Sequence, residues 1–265
     1  MPLTFSHPAA AAPLARFGLP LSALVVGSMT PDFPYFMSVS THSHYGHTLQ
    51  GLFLFCLPAG FLALWTYHVV LKLPLLALLS PSEHRARLAG AMGRFRFLPL
   101  SRFLRIHLAL LLGAITHVVW DSFTHGKGWT VQHIPALAKS IAHTSRGDLC
   151  VYNLLQHGST ILGAGLLIYW YMRWYRKADA APGILPFELQ PRIGGRLFAA
   201  VALIAAMAGI ARGIAIGLGP WRANGIQASA FGCVVVATAT LFFELLVYSF
   251  VWHACAGRRG RKQSN

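Results

Sequence analysis

Thirteen histidines stand against only seven aspartates and glutamates in this chain, and their grouping matters more than their number. One group is N-terminal, Ser6-His7-Pro8 followed later by Pro31-Asp32. A second runs Thr41-His42-Ser43-His44-Tyr45-Gly46-His47-Thr48, and a third runs from Thr116-His117 through Asp121 to His125-Gly126. Gln156-His157-Gly158 makes a fourth. Imidazole nitrogen and carboxylate oxygen together form a common donor set for divalent metals. His117, Asp121 and His125 recur at every fourth position, which places them on one helix face. They also cover about 12 Å of helix axis, whereas donor atoms around one ion lie roughly 3–4 Å apart. A straight helix therefore cannot aim all three at one ion. Either His125 lies past the helix end, where Gly126 and Gly128 let the chain bend back, or the site holds two ions. The candidate metal ligands are His7, Asp32, His47, His117, Asp121 and His125, with His157 as a further ligand or as a residue that orients one. Asp32 and Asp121 are also the candidate catalytic carboxylates, one of them as general base.

Each of these residues has a plainer reading. Asp32 after Pro31 can cap a helix or start a turn. Histidines 42, 44 and 47 can form an ordinary polar loop. His68, His107 and His253 lie in apolar runs, where an imidazole is expected to bond a nearby carbonyl or hydroxyl. His84, His133 and His143 are expected to be solvated. Asp121 is harder to set aside, because an ionisable group inside an apolar segment is costly and needs a partner. Arg212 and Glu244 are two more such groups. They can pair across helices, although their Cα depths are expected to differ by roughly 12 Å at a rise of 1.5 Å per residue.

The elements that must position these residues are membrane spans. The chain is 55% hydrophobic and 11% charged over 265 residues, where soluble proteins carry about 25% charged residues. A crossing helix needs about 20 mostly apolar residues. Five segments qualify: Gln50–Leu71, with a break expected at Pro58, then Phe103–Phe123, Asn153–Met172, Leu197–Gly219 and Ser229–Trp252. Phe17–Met29 is too short to cross and contains Gly18 and Pro20, so it is expected to be a re-entrant or interfacial helix that brings Asp32 towards the second span. The expected fold is an all-α polytopic membrane protein of about five spans plus this short helix. Residues 1–175 carry the His/Asp site, 176–196 form a linker with several prolines, and 197–265 hold the last two spans and a basic tail.

Lysines and arginines number six in loop 72–102, three in 124–152, five in 173–196, one in 220–228 and four in the tail. The alternation predicts cytoplasmic placement for loop 72–102, loop 173–196 and the tail, and an outward N-terminus. The seven tryptophans all fall near span ends, where amphipathic rings collect. On this topology every His/Asp group lies at the outward end of its segment. Short surface helices are expected around Leu88, Met92 and Phe95, and around Ile134, Leu137 and Ile141. The formal charge of +15 would suggest nucleic acid in a soluble protein, but base-reading motifs are absent and the basic residues sit between apolar runs, so anionic lipid headgroups are the expected partner. The four cysteines show no CxxC spacing, which indicates neither a zinc ribbon nor a redox pair. The start of the chain lacks Lys and Arg before Arg16 and matches a cleaved signal peptide poorly.

At Pro2-Leu3-Thr4-Phe5-Ser6-His7-Pro8-Ala9 the chain resembles a bacterial membrane-protein family catalogued as a domain of unknown function. Gly27-Ser28-Met29-Thr30-Pro31-Asp32-Phe33, the segment from His117 to Trp129 and Leu155-Gln156-His157-Gly158-Ser159 carry the same resemblance, over about residues 1–175. Pro31-Asp32 and the set His117, Asp121, Thr124 and Gly126 are also similar, more loosely, to inner-membrane metal-dependent hydrolases. Thr41-His42-Ser43 matches the middle motif of those hydrolases without its preceding His-Arg, and Gly46-His47-Thr48 is the competing match. The resemblance implies a metal site and leaves the middle ligand as His42 or His47.

The expected chemistry is hydrolysis of an ester or phosphoester by a divalent ion, zinc first, then manganese or iron. The site would lie at the outer face of the inner membrane and take a lipid or lipid-linked substrate. A transporter or scaffold with a structural His/Asp cluster is the rival, supported by Pro58 and the buried Arg212 and Glu244. No repeated half of the kind many transporters show is visible.

Overall fold

Long apolar runs without interior helix-stopping pairs become long helices, and the computed structural model of the protein is built almost wholly from them. It describes residues 4–38, 45–78, 82–91, 93, 95–144, 147–180, 189–218 and 225–263. Four helices are long and apolar enough to cross a bilayer, over Leu49–Leu78, Leu100–His133, Arg192–Leu218 and Ala228–Gly257. The remaining expected span lies in the helix Val151–Tyr175, whose 25 residues suffice in length. Its first ten residues carry Asn153, Gln156, His157, Ser159 and Thr160, which shortens its apolar stretch. The protein is an all-α polytopic membrane protein, and many large apolar side chains on the spans are exposed, among them Leu54, Leu62, Leu104, Leu203 and Phe243.

The chain divides into two compact units that do not follow its order. The first comprises Met1–Phe33, His44–Leu64 and Arg96–Trp174. Its central element is the helix Leu100–Thr124, against which the short helix Leu21–Gly27 packs. The contact is backbone to backbone. A Cβ on Gly27 would collide with the Leu110 backbone, and one on Gly113 would collide with the Leu24 carbonyl. This small-residue crossing fits the way helices associate in lipid, where close van der Waals approach replaces the hydrophobic drive. Leu52 and Cys56 pack against Ala114 beside it, covered by Phe55, Leu111, Ile115 and Val118. Gly163 of the third long helix lies against Ser6 and Ala9.

The expected break at Pro58 takes the form of a π turn over Leu52–Cys56, after which the helix continues through Leu57–Trp65. Proline has no N–H for the carbonyl four residues back, and a widened turn is a common way to absorb that loss. Two expectations for surface helices need correction. Ile141 is not helical; it lies on the strand Ser140–Thr144, paired antiparallel with Gly147–Cys150. Ile134 sits between the short helices Trp129–His133 and Pro135–Ala138, where Pro135 starts a new turn instead of continuing the old one. Met92 lies outside the described residues, and Ser82–Ala91 is a helix.

The second unit comprises Pro34–Ser43, Trp65–Phe95 and Tyr175–Asn265. Its helices Pro191–Leu218 and Gly225–Gln263 pack through Gly209 and Gly213 against Ser229, Cys233 and Ala237. Tyr248 donates to the Pro74 carbonyl at 3.0 Å, and His253 Nε2 bonds the Val70 carbonyl at 3.0 Å. The expected linker is helical from Pro191, a residue suited to the first helical position because its missing N–H would be unpaired there anyway. Residues 181–188 of that linker lie outside the described residues. Arg212 and Glu244 make no ion pair with each other among the described residues: Arg212 is exposed, and Glu244 buries Oε2 without a hydrogen bond.

Candidate metal centre

The first unit brings four separate stretches of chain together at one cluster. His7 ends a turn in which its N–H bonds the Thr4 carbonyl at 3.3 Å, and Pro8 then starts the helix Pro8–Ala11. Asp32 closes the turn Thr30–Asp32 just after Leu21–Gly27, with Thr30 Oγ1 donating to the Gly27 carbonyl at 2.8 Å. His47 closes the turn Tyr45–His47, and Thr48 caps the helix that follows by accepting from Gly51 N at 2.9 Å. Gly46 lies so close to the Pro31 backbone that any side chain there would collide with it. That approach sets His47 beside Asp32. His117 and Asp121 come from successive turns of Leu100–Thr124.

Asp32 Oδ1, His47 Nε2, His117 Nε2 and one oxygen of Asp121 converge, with all four donor atoms within 4.8 Å of one another. His47 Nε2 and His117 Nε2 each lie 3.3 Å from Asp121 Oδ2 and 3.6 Å from Asp32 Oδ1. Ligand atoms sharing one ion with bonds near 2.0–2.2 Å fall roughly 3–4 Å apart, so the spacing fits a single cation. Charge-assisted N–H···O bonds are shorter, about 2.7–2.9 Å. His117 Nδ1 lies 2.7 Å from the Ser28 carbonyl. A carbonyl only accepts, so Nδ1 carries the proton and Nε2 presents a lone pair to the cluster. Thr4 Oγ1 donates to Asp32 Oδ2 at 2.6 Å, which leaves Oδ1 as the donor turned inward.

Burial sharpens the case. His117 is fully buried, and Asp32 and Asp121 are 2% and 8% exposed. Asp32 Oδ1, His117 Nε2, Asp121 Oδ1 and His7 Nε2 are buried without any hydrogen bond. Two buried carboxylates carry a charge that must be offset, because an isolated buried ion is very costly. A divalent cation would supply that charge, and a mixed nitrogen and oxygen set would suit zinc, manganese or iron. His7 stacks on His117 with ring centroids 3.7 Å apart, and its Nε2 lies 3.5 Å from Asp121 Oδ1. Burial first, and then the neighbouring His117, push the His7 pKa down to about 4, which keeps its nitrogen lone pair available at neutral pH.

His125 is the first residue past the helix end, in an extended conformation. Its Nδ1 donates to the Asp121 carbonyl at 3.0 Å and lies 3.6 Å from Asp121 Oδ1. His157 stands apart from the cluster, exposed, while its neighbour Gln156 is buried. One residue corresponds to about 100° of rotation on a helix, enough to turn the histidine out and the glutamine in. Both His42 and His44 lie outside the described residues. Thr4 and the Ser28 carbonyl hold Asp32 and His117 in place and have no chemical signature of their own in the sequence. Outside this cluster, His68 stacks on Phe95 and His143 Nδ1 lies 2.6 Å from Asp148 Oδ1 across the hairpin.

No curated protein and no solved structure matches the chain. The profile of the family described as Domain of unknown function (DUF4184) matches residues 1–250. That span takes in every residue of the cluster, and it extends past the first three long helices into the fifth. The chain belongs to the DUF4184 family.

Proposed function

We propose that the protein is a membrane-embedded, metal-dependent hydrolase that acts on an ester or phosphoester at the outer face of the inner membrane. The observation that carries this reading is the convergence of Asp32, His47, His117 and Asp121 donor atoms within 4.8 Å in a buried site. A bound divalent ion supplies two things to hydrolysis: it lowers the pKa of a water and polarises a carbonyl or phosphoryl oxygen. The protein's own part is orientation. Ser28 fixes the tautomer of His117, Thr4 fixes the rotamer of Asp32, and whichever carboxylate is not fully engaged as a ligand serves as general base. The loop charges support an outward N-terminus and a cytoplasmic C-terminus. A lipid or lipid-linked substrate suits a site built between membrane helices.

A second reading has its own observation. Four protein donors would complete a tetrahedral zinc, and closed sites of that kind are structural. Under it the protein is a scaffold or transporter that binds metal without turnover. Elemental analysis of the chain purified in detergent, alongside hydrolysis of phospholipid and p-nitrophenyl ester and phosphoester probes, separates the two. The hydrolase reading expects stoichiometric metal and metal-dependent turnover, both lost in Asp121→Ala. Metal without turnover of any probe favours the scaffold. Negligible metal removes both.

A further inference from the structure

The two oxygens of Asp121 face two different sets of nitrogens. Oδ2 lies 3.3 Å from His47 Nε2 and from His117 Nε2. Oδ1 lies 3.5 Å from His7 Nε2 and 3.6 Å from His125 Nδ1. We propose that Asp121 bridges two divalent cations, the second held at Oδ1 by His7 and His125. The proposal rests on the reading that Asp32, His47, His117 and Asp121 hold the first.

Three features carry it. First, His7 Nε2 and Asp121 Oδ1 are both buried without a hydrogen bond while facing each other. A protonated imidazole paired with a carboxylate closes to about 2.7–2.9 Å; two atoms that share a cation stay roughly 3–4 Å apart. Second, His7 and His117 stack nearly parallel, 17° apart at 3.7 Å, with their Nε2 atoms addressing opposite oxygens of one carboxylate. Paired metals in hydrolytic sites lie about 3.5–4 Å apart, a spacing comparable to the 3.7 Å between these two ring centroids. Third, the first position has four protein donors and the second has three, so the second keeps a place open for water or substrate. Solvent reaches it at His125, whose side chain is 29% exposed.

His125 Nδ1 now donates to the Asp121 carbonyl. Ligation replaces that hydrogen bond, and the ring proton moves to Nε2 or leaves to solvent, as metal binding to histidine releases or relocates protons. With two carboxylates against two divalent ions, the loaded site carries a net positive charge. It therefore favours an anionic phosphoester over a neutral ester.

The test is metal stoichiometry on the full-length chain in detergent, stripped with chelator and titrated with Mn²⁺. Wild type is expected to bind two ions per chain and to show the electron paramagnetic resonance of a spin-coupled pair. His7→Ala and, separately, His125→Ala are expected to retain one ion, with the coupled signal replaced by that of isolated Mn²⁺. Since His125 lies partly exposed beyond the helix end, its variant guards against loss of fold at buried His7. Saturation of wild type at one ion, or an unchanged pair signal in both variants, overturns the second site and leaves the first. Absence of any bound ion overturns the underlying reading as well.

Discussion

His117 Nε2 and Asp121 Oδ2 lie 3.3 Å apart on adjacent turns of one helix, and both residues are buried. Asp32 Oδ1 stands 3.6 Å from the same imidazole nitrogen. Two carboxylates so placed repel each other unless a positive charge lies between them. Removing a bound cation is therefore expected to destabilise the protein. Ligand linkage gives about 2.7 kcal/mol at a hundredfold excess over the dissociation constant. Thermal unfolding in detergent should show a lower midpoint after chelation in wild type. Asp121→Asn removes one of the two charges at constant shape, and its midpoint should respond little to chelator. An equal chelator response in the two proteins would contradict a cation at this position.

Thr4 supplies a second test, because its hydroxyl donates to the outer oxygen of Asp32, at 2.6 Å. Thr4→Val keeps the shape and removes the hydroxyl. Loss of such an orienting contact typically costs about 10–100-fold in metal affinity. Competition with a metallochromic chelator measures the change, and Thr4→Ser should restore most of it. Wild-type affinity in the valine variant would show that Asp32 is held by other means.

The helix crossing beneath the cluster predicts a contrast between glycines. A Cβ at Gly27 would strike the Leu110 backbone, whereas one at Gly158 meets nothing within 4 Å. Overpacking of this kind costs about 1–3 kcal/mol. Gly27→Ala should lower the thermal midpoint and, by shifting the turn that carries Asp32, weaken metal binding. Gly158→Ala should change neither.

Much of this architecture was legible in the residues. Spans declare themselves by length and hydropathy, and the four-residue spacing of His117 and Asp121 put both on one face. The geometric conflict at His125 was also legible, since three residues at that spacing cannot reach one point, and His125 proves to lie past the helix end. What was not legible depended on tertiary contact. Nothing local distinguishes Thr4 or Ser28, whose roles arise only when distant segments meet. Ile141 kept a helical spacing with Leu137 but joined a hairpin, because Pro135 interrupts the helix and Gly147, at φ 115°, allows the return strand to begin. The exposure of His157 beside buried Gln156 was not legible either, because helical phase cannot be read from a single residue.

Topology offers a fourth prediction. The Lys and Arg bias predicts loop 72–102 in the cytoplasm and loop 124–152 outside. Alkaline phosphatase fused in loop 124–152 should be active, and fused in loop 72–102 inactive, with green fluorescent protein fusions giving the reverse. Activity on the same side for both loops would place the cluster at the other face or require a different number of crossings between them.

The last prediction separates His47, a candidate ligand, from His157, a further ligand or a residue that orients one. His47 Nε2 lies between both aspartates, 3.6 Å from Asp32 Oδ1 and 3.3 Å from Asp121 Oδ2. Its position depends on Gly46 lying against Pro31, not on the long helix that carries His117. Replacing it should therefore remove a donor without disturbing the membrane helices. His47→Ala is expected to lower metal affinity by at least about tenfold, in keeping with loss of a ligand, with the helical circular dichroism unchanged. His157→Ala, on the exposed side of its helix, should bind metal as wild type does. Wild-type affinity in His47→Ala would move the middle ligand to another residue. A loss in His157→Ala as large as that in His47→Ala would mean that the third long helix turns its histidine into the site once an ion is bound.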